Sequence, residues 1–391
     1  MHVLGLMSGT SADGVDAVLA RFKGPSRQPQ WELISSSSRP YPTALQEQIV
    51  AIGQGQPQPS EALLNLAEEI TEIHAEAAQS CDPRSLATLV GCHGQTLWHR
   101  PPKQDPTGHR LRGASWQLLQ APLLATLLNR SVVHDFRAAD LALGGQGAPL
   151  VPMADAALVG PAPGWRALLN LGGIANLTLI PPAQGPDRGA DVRGWDCGPA
   201  NTLIDLAVGH FSGGSERFDL NGRRAAAGHV CEEVLTQWLQ EPYFQQAPPK
   251  STGREWFGQD NLHARLAQLE GQRADNCIAT LTAFTAAVVA QDLDQLHRHD
   301  LPRPLELVVA GGGCRNLELM RQLQQRCRGV RVRKSDTLGL PAESREALVF
   351  ALLAWWHHRQ VPGNAPAVTG ASRACVLGTR VDPPRLSTQG R

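Results

Sequence analysis

One local pattern occurs twice in this chain and limits the fold more than any other feature. Val3 to Met7 is a short apolar run that stops at Ser8-Gly9-Thr10-Ser11-Ala12-Asp13-Gly14, after which Val15 to Phe22 is apolar again. In the second half Ala167 to Leu171, the turn Gly172-Gly173 and Ile174 to Ile180 restate it. Each instance reads as strand, tight turn, strand. The Gly/Pro-rich stretch from Gly144 to Pro152 marks the junction, so the expected domains are 1–165 and 166–391, with the last ~30 residues able to pack back on the first.

The segments between these openings alternate helix and strand. Trp31 to Ser35 reads as a third strand, Thr43 to Ile52 and Ser60 to Gln79 as helices with Ser60 as an N-cap, and Leu86 to Cys92 as a buried strand ending at His93-Gly94-Gln95-Thr96. Ser115 to Leu128 reads as a helix and Val132 to Asp135 as a strand. In the second half Arg193-Gly194-Trp195 is strand-like and runs into Asp196-Cys197-Gly198-Pro199-Ala200-Asn201 and an apolar helix from Thr202 to Val208. Leu305 to Ala310 is an apolar strand, Gly311-Gly312-Gly313-Cys314-Arg315-Asn316 a tight turn, Leu317 to Cys327 a helix, and Glu343 to Trp356 the last strong helix. This is an α/β pattern.

Composition narrows the partners. With 36 Lys+Arg against 36 Asp+Glu, the chain has no charge excess to attract a polyanion or an anionic membrane, so the expected ligand is a small molecule. The two nearest cysteines, Cys81 and Cys92, are eleven positions apart, which excludes paired-ligand zinc and redox spacings and leaves reduced thiols as the expectation. Met1 to Leu6 lacks the basic segment and long apolar core of a leader, and no uninterrupted apolar stretch approaches a membrane span; a cytoplasmic protein is expected.

The residues suited to chemistry cluster in the turns. Gly9, Thr10, Ser11 and Gly14 can turn backbone N–H groups and two hydroxyls toward one anion, though an ordinary hairpin has the same composition. Asp13 and Asp16 favour the phosphate reading, because a phosphate-bound Mg²⁺ is held through one or two carboxylates and water; Asp13 is the metal-ligand candidate. Gly311, Gly312 and Gly313 bring backbone close to a flat or anionic group at a helix N-terminus, or simply permit close packing. No Gly-x-x-x-x-Gly-Lys-Ser/Thr occurs, and Asn316 stands where a dinucleotide fingerprint has its third glycine. Asp196, where strand gives way to helix, is a general-base candidate whose competing role is an N-cap. His93, Gln95 and Thr96 could donate to sugar hydroxyls, and Glu346 in a first helical turn either contacts substrate or complements the helix dipole.

The doubled opening with the later strand-Gly-Gly-Gly-helix resembles the sugar kinase/Hsp70/actin superfamily. The match sharpens at Gly5 to Asp16, Gly94-Gln95-Thr96, Asp135-Phe136-Arg137, Gly144 to Leu150, Asn170-Leu171-Gly172-Gly173-Ile174-Ala175-Asn176, Pro248 to Glu255 and Gly311 to Asn316, which together resemble the anhydro-N-acetylmuramic acid kinase family. The resemblance implies two similar actin-like ATPase domains with an interdomain active-site cleft. It also implies an enzyme of cell-wall recycling that uses ATP and Mg²⁺ to open anhydro-N-acetylmuramic acid with water and phosphorylate O6. On that mapping Gly9 to Asp16 is one phosphate loop, with Asn170, Gly172, Gly173 and Asn176 in the second. Gly311 to Gly313 and Asn316 lie against adenosine, Asp196 is the catalytic aspartate, and Glu346 contacts the sugar. Cys197 and Ala200 depart from the family's usual Asp-Thr-Gly-Pro-Gly-Asn. The alternatives are another sugar or acyl kinase of the same superfamily, or a nucleotide-dependent binding module; a homodimer is compatible with either.

Overall fold

The computed structural model describes residues 1–9, 12–104, 110–160, 162–248, 250–253 and 256–384, with the backbone alone at 104 and 110. The chain divides into two units, Met1–Gly160 with Ser344–Arg391, and Pro161–Glu343.

In the first unit the strand His2–Ser8 pairs antiparallel with Gly14–Lys23, which pairs antiparallel with Gln30–Pro40. On its other side it runs parallel to Leu89–Arg100, which is parallel to Val132–His134. Ala114–Leu118 joins the outer half of Leu89–Arg100, and Thr379–Val381 closes the edge beyond Val132–His134. In the second unit Arg166–Leu171, Ile174–Ile180 and Arg193–Pro199 form an antiparallel meander, and Arg166–Leu171 is parallel to Glu306–Ala310, itself parallel to Arg331–Lys334. With Ala114–Leu118 and the edge strand Thr379–Val381 set aside, both sheets carry the same order, third-second-first-fourth-fifth, with the same directions. The tight turns explain the antiparallel pairs. A parallel neighbour needs a long crossover, supplied by Thr43–Gly53 and Ser60–Cys81 in one unit and by the helices ending with Ala274–Gln295 in the other. Ala274–Gln295 is apolar enough by composition to resemble a membrane span, yet it is the buried centre of its unit.

The first unit owes its closest packing to two glycines. Gly5 and Gly91 are partners on adjacent parallel strands. A Cβ on Gly5 would lie 1.9 Å from the Ala347 carbonyl oxygen, and one on Gly91 would lie 2.2 Å from that of Phe350. The helix Arg345–His358 thus rests on bare sheet backbone.

Several expectations change here. Residues from Ser344 cluster with the first unit, so the second ends at Glu343 and the first at Gly160; the return begins earlier than the last thirty residues because the Arg345–His358 helix itself packs on the first sheet. Ser60 is the first helical residue, capped by Pro59 with no side-chain bond. Ser115 is strand, because Ala114–Leu118 pairs with the extension of Leu89–Arg100, and the helix starts at Ala121 with Pro122 in its first turn. That extension carries His93 to Thr96 inside the strand. Asp196 likewise lies inside Arg193–Pro199, whose pairing with Ile174–Ile180 continues past it through a bulge.

The glycine contact predicts that Gly5→Ala or Gly91→Ala destabilises by at least about 1–3 kcal/mol, the usual overpacking cost. Gly189→Ala, with nothing near its Cβ position, should stay within about 0.5 kcal/mol of wild type. Urea unfolding of the three variants checks this; equal midpoints would contradict the close helix–sheet contact.

Candidate active site

In the first unit, the turn after His2–Ser8 folds back by a bond from the Ala12 N–H to the Gly9 carbonyl at 3.1 Å, with Ala12 buried at φ 51°. Thr10 and Ser11 lie outside the described residues. Gly14 admits no side chain, since a Cβ there would lie 2.3 Å from the Arg39 carbonyl oxygen. Val15 is buried and offers only backbone. Asp13 is exposed at the turn and Asp16 half-buried on the next strand. Gln95, expected as a sugar contact, is fully buried and clamps this turn: its Nε2 donates to the Gly9 and Thr96 carbonyls at 3.2 and 3.1 Å, and its Oε1 accepts from the Ser8 hydroxyl. Thr96 Oγ1 accepts from Gln117 Nε2 at 3.1 Å.

His93 forms a second cluster in the same unit. Its Nδ1 donates to the Gly94 carbonyl at 2.9 Å, and its Nε2 accepts from Arg137 at 3.0 and 3.2 Å, which fixes the neutral Nδ1–H tautomer. Burial, then the Arg137 charge, pushes the imidazole well below its ordinary range. The ring packs on Phe350, centroids 4.6 Å apart. Arg137 also donates to the Gly147 carbonyl at 2.7 Å; burial lowers its pKa to about 10, opposed by the charges of Glu346 and Asp140. Arg137 thus bonds His93 and feels the charge of Glu346, a residue whose importance the sequence showed only as part of Asp135-Phe136-Arg137.

The second unit places its candidates in a line. Sheet register sets Asp196 beside Asn176 and Asn176 beside Asn170, so the three residues cross three neighbouring strands. The turn Gly172-Gly173 is tied down by the start of the helix Asn201–Phe211: Asn201 Nδ2 donates to the Leu171 and Gly172 carbonyls at 3.0 and 2.8 Å, and the Ala200 N–H to that of Gly173 at 2.9 Å. Gly311, at φ +87°, fits because a Cβ would lie 2.7 Å from Asn170 Oδ1, and one on Gly313 would lie 2.5 Å from Leu171 Cβ; Gly312 has open space. Asn316 serves as an N-cap, its Oδ1 accepting from the Leu319 N–H at 2.9 Å.

Asp196 does not cap a helix; the cap of Asn201–Phe211 is Ala200. Its Oδ2 accepts from Ser251 Oγ at 2.8 Å and the Thr252 N–H at 3.1 Å, while its own N–H donates to the Lys250 carbonyl at 2.9 Å. Tyr243 donates its hydroxyl to the Asp196 carbonyl at 2.8 Å. Burial pushes the Tyr243 phenol upward, reinforced by Asp196. Ser251 and Thr252 belong to the quoted Pro248 to Glu255 motif, of which Pro249, Arg254 and Glu255 lie outside the described residues.

Two copies of one sheet order, each with a small-residue turn after its first strand and one with a carboxylate held at the sheet surface, define a protein of the sugar kinase/Hsp70/actin class. The chain matches the family model for anhydro-N-acetylmuramic acid kinase over residues 1–383 and belongs to that family. It is 66% identical to the anhydro-N-acetylmuramic acid kinase of Synechococcus sp. (strain CC9311) over 98% of this chain and 100% of that one, and 54% identical to that of Prochlorococcus marinus (strain MIT 9211) with the same coverage. Among solved structures it is similar to xylulose kinase from Rhodospirillum rubrum, at 15% identity and a TM-score of 0.44, covering 98% of this chain and 94% of that one.

The buried histidines predict acid sensitivity. His74, enclosed in the first unit, has its pKa lowered to about 4 by burial, and His93 is lowered too. Unfolded, both take up a proton near 6.5, so the unfolded chain binds more protons below that pH and stability falls as pH drops from about 6.5 toward 4. Thermal melts should show a lower Tm at pH 5 than at pH 7, with a smaller drop in His74→Leu. An equal drop in both proteins would contradict a neutral buried His74.

Proposed function

We propose that this chain converts anhydro-N-acetylmuramic acid, water and ATP into N-acetylmuramic acid 6-phosphate and ADP, with Asp196 as the general base. The observation that carries this is the fixed Asp196 carboxylate, whose Oδ2 is held by Ser251 and the Thr252 N–H beside the Asn170–Asn176 line. A carboxylate so held takes a proton from water as the water oxygen attacks C1. The C1–O6 bond breaks, and O6 takes the γ-phosphoryl group of ATP.

The turns at Gly9 to Asp16 and at Gly172-Gly173 are each assigned to phosphate, because their carbonyls are engaged by Gln95, Asn201 and neighbouring backbone. Gly311 to Gly313 is assigned to adenosine, with Gly312 the position that has room. On the sugar side we assign His93, as a neutral group, with Thr96 and Glu346; Gln95 acts indirectly through the Gly9 turn. Asp13, with Asp16 nearby, offers the hard oxygen donors that suit Mg²⁺, which keeps several waters and needs only one or two carboxylates besides phosphate. When bound, Mg²⁺ supplies neutralisation of phosphate charge. We further place the enzyme in the cytoplasm, with its ATP, and allow for a homodimer.

Asp196→Asn should keep nucleotide and sugar binding and lose roughly two to four orders of magnitude in kcat, the range for removing a positioned base. Wild-type kcat in that variant would remove Asp196 from the chemistry. Asp13→Asn should raise the Mg²⁺ concentration needed for half-maximal rate, and an unchanged Mg²⁺ titration would reduce Asp13 to a turn residue. ATP consumption that does not depend on the anhydro sugar would favour a binding module instead.

A further inference from the structure

We propose that the buried Lys250–Asp292 ion pair is the positioning device of the catalytic carboxylate, setting turnover through Asp196 without touching substrate; this rests on Asp196 being the base. Lys250 and Asp292 meet at 2.7 Å with side chains only 2% and 4% exposed. Two charges withdrawn from water in this way are a poor choice for stability alone, since well-packed apolar residues serve as well or better. The geometry supplies another purpose.

Asp292 stands on the central helix Ala274–Gln295 and uses both carboxylate oxygens. Its Oδ2 accepts from the Trp195 indole N–H at 2.9 Å, and its Oδ1 accepts from Lys250 Nζ. One carboxylate thus holds the residue before Asp196 and the residue before Ser251. Between those two anchors the backbones are joined by the bond from the Asp196 N–H to the Lys250 carbonyl, and the next two residues, Ser251 and Thr252, donate to Asp196 Oδ2. Tyr243 completes the frame: its hydroxyl holds the Asp196 carbonyl, and Lys250 Nζ lies 5.1 Å from its ring centroid. The Ser251 and Thr252 donors to the Asp196 carboxylate are therefore delivered by a segment that the ion pair holds in register.

The test is steady-state kinetics on the full chain with ATP and anhydro-N-acetylmuramic acid. Wild type is compared with the charge-neutral double variant Lys250→Met/Asp292→Asn, with Asp196→Asn, and with the triple variant. The double variant should lose about 10- to 100-fold in kcat, as misplacement of a reacting group does, with KM for ATP within about twofold of wild type. In the Asp196→Asn background the same pair change should leave the residual rate unchanged, because the device acts only through that carboxylate. An equal fold loss in both backgrounds, or wild-type kcat in the double variant, overturns the proposal. If the double variant does not fold by circular dichroism, Trp195→Phe, which frees Asp292 from the residue before Asp196, takes its place in the same cycle: a kcat loss absent from the Asp196→Asn background supports the device, and additive losses or wild-type kcat overturn it. Full activity in Asp196→Asn alone overturns the base assignment and this inference with it, an outcome distinct from failure of the pair alone.

Discussion

The contact of a helix with bare sheet backbone at Gly5 and Gly91 is the constraint from which the rest of the first unit follows. Two glycines side by side on parallel strands remove the layer of side chains that normally separates helix from sheet. The carbonyls of Ala347 and Phe350, with the small side chains of Ala351 and Ala354, crowd the places where Cβ atoms would stand, so the helix can approach this closely only over glycine. That helix carries Phe350, against which His93 packs, and Glu346, whose charge acts on Arg137. The arrangement of the candidate sugar contacts is therefore a consequence of where the helix can sit. The C-terminal segment is bound into the same unit by Asp140, which accepts from Asn364 and Thr369 at 2.7 Å each and from the Gly147 N–H at 2.8 Å.

Both small-residue turns are solved by the same physical device. A turn that offers N–H groups to an anion must dispose of its carbonyls, and here side-chain amides take them: Gln95 at Gly9, Asn201 at Leu171 and Gly172. The amides come from different places, one inside a strand and one at the start of a helix, so the likeness lies in the chemistry and not in the sheet position.

The repeated turn made the doubled sheet legible, because glycine clusters between apolar runs leave few other foldings. Strand lengths were less legible. His93 to Thr96 and Asp196 read as strand ends, since polar residues usually mark them, yet pairing with Ala114–Leu118 and with Ile174–Ile180 carries both strands further. Gln95 read as a ligand contact because nothing local distinguishes an amide facing a sugar from one facing a carbonyl. Asp292 is one of three aspartates on the helix Ala274–Gln295, beside Asp275 and Asp294, and its partner Lys250 lies far away in sequence, so only the fold pairs them. The family resemblance reached Asp196 and the turns directly and took in Lys250 to Thr252 within Pro248 to Glu255, but it gave that segment no role and did not reach Asp292.

In the proposed mechanism one fixed carboxylate couples water attack at C1 to phosphoryl transfer onto O6, and isotope placement tests this most directly. The reaction is run in ¹⁸O-water with ATP, and the product is reduced at once to prevent anomeric exchange, beside an exchange control. The mechanism predicts label on the C1 oxygen, with none in the phosphate or the C6–O–P bridge. Label in released inorganic phosphate with none at C1 would mean that water attacks ATP, and would contradict the coupled mechanism.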